Sequence, residues 1–134
     1  MLKYLLDTNI VIYVLKRRPI EVLKIFNTNA SRMAISCITL SELMYGAEKS
    51  SNAAQNLEAI EEFISHLEVI PYDAKASQHY GQIKATLERK CEIIGENDIH
   101  IAAHAISQGL ILVTNNLREF KRVSNLALEN WVKP

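Results

Sequence analysis

Little in this chain announces a special class of protein. Its only cysteines, Cys37 and Cys91, lack CxxC spacing, which excludes a disulfide scaffold and offers no zinc signature. Four glycines and three prolines in 134 residues leave no low-complexity stretch, linker or internal repeat. Charge of one sign is missing as well: fifteen basic and fifteen acidic side chains cancel, so any nucleic-acid partner must be met by a local basic surface rather than by net charge. No apolar run approaches the ~20 residues that a membrane-spanning helix requires. The first one is cut by Asp7 after a few residues, so neither a secretory leader nor an anchor is expected. What the chain does have is 49% apolar residues, enough at this length to bury one core. The expectation is one cytoplasmic domain over residues 1–134.

Patterning divides the chain into alternating strands and helices. Residues 2–6 read as a short buried strand, and Ile10–Leu15 as a helix ending near "KRRP". Pro19 suits the start of the next helix, whose Ile20, Val22, Leu23, Ile25 and Phe26 give a broad apolar face. "RMAISCI" is a second strand, "TLSELMYGAEKS" and "NLEAIEEFISHL" are helical, and "EVIPY" is a brief strand that Pro71 closes or pushes to an edge. "KASQHYGQIKATLERK" and "DIHIAAHAISQ" are helices, the second terminated by Gly109. "LILVT" is a third clear strand and "LALENW" a short last one. Such alternation predicts an α/β fold with a mostly parallel central sheet covered by helices on both faces.

The chemically interesting residues fall at equivalent places in that plan. Asp7 ends the first strand, Glu42 lies in the first turn of the helix after the second, Asp98 opens the helix before "LILVT", and Asn116 and Glu119 follow that strand at once. Each also reads as a helix cap. Thr39-Leu-Ser-Glu42 and Asn116-Leu-Arg-Glu119 have capping-box form, Asn97 or Asp98 suits "IHIAAHA", and Asp7 suits "IVIYVL". Taken together they point elsewhere. Strands of a parallel sheet share one carboxyl edge, so groups that follow them converge there. Three carboxylates in one cleft repel each other, and a hard divalent cation such as Mg²⁺ or Mn²⁺ relieves that repulsion. Such an ion suits phosphodiester hydrolysis.

"LLDTNIVIYVLKRRP", "SCITLSELMYGAEKS", "GENDIHIAAHA" and "LILVTNNLREFKRVSNL", in this order and over the whole chain, resemble the PIN-domain ribonuclease toxins of VapBC toxin–antitoxin modules. The resemblance implies a PIN-like α/β/α sandwich and a Mg²⁺- or Mn²⁺-dependent endoribonuclease silenced by a VapB antitoxin. It carries the metal-binding acids onto Asp7, Glu42 and Asp98, with a water activated by the ion attacking in line to leave 5′-phosphate and 3′-hydroxyl ends. The family's fourth acid falls on Asn116, a departure that Glu119, one helical turn on, could partly offset. The resemblance further implies pairing into homodimers and an RNA target. For some relatives that target is tRNA, including the anticodon stem-loop of initiator tRNA, and for others ribosomal RNA.

Thr8, Asn9 and Thr114 stand beside the acids as candidates to orient ligands, with capping and turn formation as the alternative. Lys16, Arg17, Arg18, Arg118, Lys121 and Arg122 could cradle phosphates, or simply be solvated charge. His100 and His104 share a helix face but lack a zincin pattern, and read as polar surface or interface residues. Tyr13, Met44 and Tyr45 read as core or dimer contacts, and Gly46 as a packing glycine or a point of close RNA approach. Two rival functions remain. A haloacid-dehalogenase-like phosphatase also places Asp after its first strand, but Asn9 stands where its acid should be. A catalytically inactive PIN module that only binds RNA or protein is the other, kept open by Asn116.

Overall fold

The computed structural model describes residues 1–132. Five strands, β1 (Tyr4–Leu6), β2 (Met33–Ser36), β3 (Glu68–Ile70), β4 (Ile111–Val113) and β5 (Leu128–Glu129), form one sheet in the order β3-β2-β1-β4-β5. Every pairing is parallel, with Tyr4 opposite Met33 on one side and Ile111 on the other. The helices are α1 (Thr8–Lys16), α2 (Ile20–Thr28), α3 (Cys37–Glu48), α4 (Ala53–Ile64), α5 (Ala74–Arg89), α6 (Glu96–Gln108) and α7 (Leu117–Phe120).

The period of two along each strand assigns the layers. Tyr4, Leu6, Met33, Ile35 and Val113 point to one face, where they pack with α1 to α4. Leu5, Ala34, Ile70 and Leu112 point to the other, against Leu87 of α5, Ile99 and Ala102 of α6, and Phe120 of α7. The three central strands are buried on both faces, which is why they read as unbroken apolar runs rather than alternating ones. Helix α2 departs from its expected broad buried face: Val22 is fully covered, but Ile20 is 57% exposed. Edge strand β3 ends immediately before Pro71, as expected of a residue that cannot donate to a ladder. Gly109 closes α6 with φ 66°, a left-handed conformation that costs a residue with a side chain more than glycine.

The strand order positions the site. From β1 the chain steps outward through β2 to β3, then returns to lay β4 on the other side of β1. The reversal opens a crevice at the carboxyl ends of β1 and β4, where α/β sheets hold their ligands. Among the described residues no helix is long and apolar enough to cross a membrane.

Candidate functional site

Asp7 is the first residue past β1 and the N-cap of α1. Its backbone N–H still donates to the Val113 carbonyl, prolonging the β1–β4 pairing, while its own carbonyl accepts from Ile10 and Val11. The side chain is 4% exposed. One carboxylate oxygen accepts from the Thr8 backbone N–H at 2.8 Å and the other from the Thr114 hydroxyl at 2.8 Å. Burial pushes the carboxyl pKa up, the bonds from Thr114 and Thr8 pull it back, and nearby Glu42 adds to the rise. Asp7 therefore caps a helix and is also a charge forced into the edge of the core. Capping alone requires no such burial.

Glu42 sits in the second turn of α3, not the first, because the helix begins at Cys37. Ser36 is the cap, its hydroxyl accepting from the Ile38 N–H at 3.0 Å, so the Thr39–Glu42 capping box does not form. Glu42 instead reaches across to α1, where the Thr8 hydroxyl donates to its Oε1 at 2.7 Å. Thr8 thus ties α1 to α3 beside the cleft, while Asn9 points to solvent.

Asp98 lies in the first turn of α6, whose N-cap is Gly95, so neither Asn97 nor Asp98 caps it. The half-buried Asp98 carboxyl is pushed up to about 6, first by burial and then by the charges of Asp7, Glu119 and Glu42. Among those charges Glu119 stands ahead of Glu42 in raising Asp98. Asn116 occupies the N-cap position of α7 without a side-chain cap bond, and its N–H donates to the Thr114 hydroxyl at 2.9 Å. The second capping box therefore also fails to form. Helix α7 carries Glu119 round to the cleft while Asn116 stays in the turn.

Asp7, Glu119 and Glu42 all act on Asp98, which sets the four carboxylates in one neighbourhood at the switch point. Among the described residues the ion pairs are His66–Glu62 and Lys84–Glu96, and none of the four carboxylates takes part in one. Among the described residues no three such side chains are grouped closely enough to hold an ion. Oxygen donors that repel one another are nonetheless the donor type that a hard divalent ion takes.

The other candidates divide. Lys16 lines a cavity of about 390 Å³ together with Glu42, while Arg17 lines its neighbour along α1, α2 and α4 and closes α1 in a left-handed turn. Arg18, Arg118 and Lys121 are exposed, and Arg122 donates to the Ile93 carbonyl. His104 is not a surface residue. It is fully buried, 2.8 Å from the Ser36 hydroxyl, and burial holds its pKa below the ordinary value. His100 pairs with the Tyr72 hydroxyl at 2.8 Å and stacks on Tyr80, on the flank of α6 away from Asp98, so the two histidines share no ligand position. Tyr13 packs against the core and takes a hydrogen bond from Asn115, but Tyr45 is 67% exposed and belongs to no core. The Ser36–His104 contact had no sequence signal beyond a serine at a strand end, because only the packing of α6 on β2 creates it.

A PIN domain profile matches residues 4–126. The "Ribonuclease VapC2" of Haemophilus influenzae is 61% identical over 98% of this chain and 100% of its own length. The "tRNA(fMet)-specific endonuclease VapC" of Salmonella typhimurium is 53% identical over 98% and 99%. Among solved structures, a chain of the DNA-bound VapBC from Salmonella typhimurium superposes with a TM-score of 0.95 at 52% identity, covering 98% of this chain and all of that one. A chain of VapBC2 from Rickettsia felis, bound to a DNA fragment from its promoter, gives 0.92 at 43% identity with the same coverage.

Proposed function

This chain belongs to the PIN-domain family, in its VapC ribonuclease branch, and on that premise we propose that it is the toxin of a toxin–antitoxin module, a cytoplasmic endoribonuclease formed by one PIN domain. The observation that carries the reading is that Asp7, Glu42 and Glu119 all raise the half-buried Asp98 carboxyl at the switch point, where Thr8 ties Glu42 to the helix that Asp7 caps, with none of the four acids in an ion pair among the described residues. Asp7, Glu42 and Asp98, supported by Glu119, would hold Mg²⁺, with Mn²⁺ as a substitute. When bound, the ion supplies Lewis acidity toward the scissile phosphodiester and toward water. The chain's own residues set the geometry. Thr114 and the Thr8 N–H fix both oxygens of Asp7, and the Thr8 hydroxyl fixes Glu42. Water adds to phosphorus and gives up a proton, the bond to the 3′ oxygen breaks and that oxygen takes up a proton, and the products carry a 5′-phosphate and a 3′-hydroxyl.

Because the Salmonella relative bears the name of a tRNA(fMet)-specific endonuclease, the substrate we propose is initiator tRNA, cut in its anticodon stem-loop. Sequencing of RNA 5′ ends after induction of this chain alone in cells tests this. New ends should concentrate in that loop; their absence, or ends spread over all RNAs, rejects the assignment.

The partner we propose is a VapB-type antitoxin. The cavity beside Glu42 has apolar walls from Ile12, Leu15, Leu43 and Ile60, and it runs up to Thr8 and Glu42 at the acid cluster. An antitoxin segment with apolar side chains for those walls and a basic one for the carboxylates matches both halves. The planar Arg fork fits carboxylates best. In a structure of the complex, an antitoxin arginine is expected among Asp7, Glu42 and Asp98. A complex that leaves them open to solvent would overturn the expectation.

A further inference from the structure

The ribonuclease reading leaves one large side chain of the Glu42-bearing helix without a role. Tyr45 is 67% exposed and stands three residues after Glu42, less than one turn along the same side of α3. Ser41, Tyr45 and Lys49 follow one another at helical spacing as an exposed row beside the row that carries Glu42 and Gly46. The Lys49 ammonium lies 4.9 Å from the Tyr45 ring centroid, a cation–π contact that occupies one face of the ring. Next along the helix, Gly46 has nothing within 4 Å of the place a Cβ would take, so the helix surface is open at that position. A large aromatic side chain thus stands in water on the helix that carries Glu42, beside a cleft lined by both Glu42 and Lys16. Nucleic acid matches it on both counts: every base offers a π-face to the ring, and Lys49 answers the phosphate that the carboxylates repel.

We propose that Tyr45 is a base-stacking residue for the RNA substrate, holding an unpaired nucleotide beside the scissile phosphate, with Lys49 opposing the charge of the adjoining backbone. The proposal rests on the ribonuclease reading and sharpens it. Only a base free of its own stack can offer a face to Tyr45, so the site selects loops over duplex RNA.

Two measurements test it. In steady-state cleavage of initiator tRNA, Tyr45→Ala should raise KM about ten-fold with kcat unchanged, the usual cost of losing one stacked base. Tyr45→Phe and Tyr45→Trp, which keep a π-face, should retain the parent KM. The melting temperature and the sedimentation mass of Tyr45→Ala should match the parent, because the side chain is exposed. An unchanged KM, an equal loss in Tyr45→Phe, or a shift in mass that marks a contact between copies overturns the proposal. The second measurement needs no cleavage. With the initiator tRNA anticodon stem-loop carrying 2-aminopurine in its loop, binding by the parent should change the probe's fluorescence, and Tyr45→Ala should lose that change. Absence of the change with the parent overturns the stacking proposal, whereas a parent that binds and stacks without cutting overturns the ribonuclease reading instead.

Discussion

Asp7→Asn should abolish RNA cleavage, by about a thousand-fold or more, in a protein that still folds. The size follows from the role: a ligand of the ion that stabilises developing phosphoryl charge contributes several kcal/mol to the transition state. Folding survives because two terms oppose. Asp7 accepts two hydrogen bonds with its two carboxylate oxygens, from Thr8 and Thr114, whereas asparagine offers one oxygen. One bond is lost, at about 1 kcal/mol. Against this, burial is the largest cause of the raised pKa of Asp7, and the amide carries no charge to desolvate or to meet Glu42. Melting in EDTA should therefore be unchanged or slightly later. Asp7→Ala removes both bonds and the cap, and should lose about 0.5–2 kcal/mol of helix support besides. An Asp7→Asn protein that keeps its activity, or loses it only by unfolding, would return this residue to capping alone.

Chelation carries the second large effect. EDTA should remove cleavage entirely, and Mg²⁺ or Mn²⁺ should restore it. Melting gives an independent readout, since an ion that binds only the native state stabilises it by mass action, about 2.7 kcal/mol at a hundred times Kd. For a domain of this size that is a rise of several degrees. Asp98→Asn, which removes the carboxylate that most feels the other three, should lose most of that rise while melting no earlier than the parent in EDTA. Cleavage that persists in EDTA, or products ending in 2′,3′-cyclic phosphate, would assign the attack to the substrate's own 2′-hydroxyl and remove the ion from the reaction.

Much of this protein could be read from local pattern. The order of strands and helices follows from hydrophobic period, because each element buries its face against a neighbour whatever that neighbour is. Gly109 as a helix stop and Pro71 as a strand stop follow from backbone sterics of single residues. Asp7 and Glu42 were legible as candidates because they follow strands that share one carboxyl edge, and Asp98 because it opens the helix that leads into β4.

What the sequence could not decide depended on where elements start and what they pack against. Thr39–Glu42 and Asn116–Glu119 both have capping-box spacing, yet α3 begins at Cys37 under Ser36, and α7 uses no side-chain cap. A cap is set by the last residue that the strand before it holds in extended conformation, which sheet pairing decides. His104 was decided in the same way, α6 turning a histidine expected at a surface or interface into the core against Ser36, and of the core and dimer readings of Tyr45 its exposure on α3 removes the first. Glu119 lies on the one turn of α7 and adds its charge to those that raise Asp98. Above all, the crevice itself exists because β4 returns to pair with β1 after β2 and β3 have gone the other way. That choice of neighbour is a contact between residues more than a hundred positions apart, Leu6 with Val113, and its energy lies in burying both faces of a shared sheet, which no local pattern encodes.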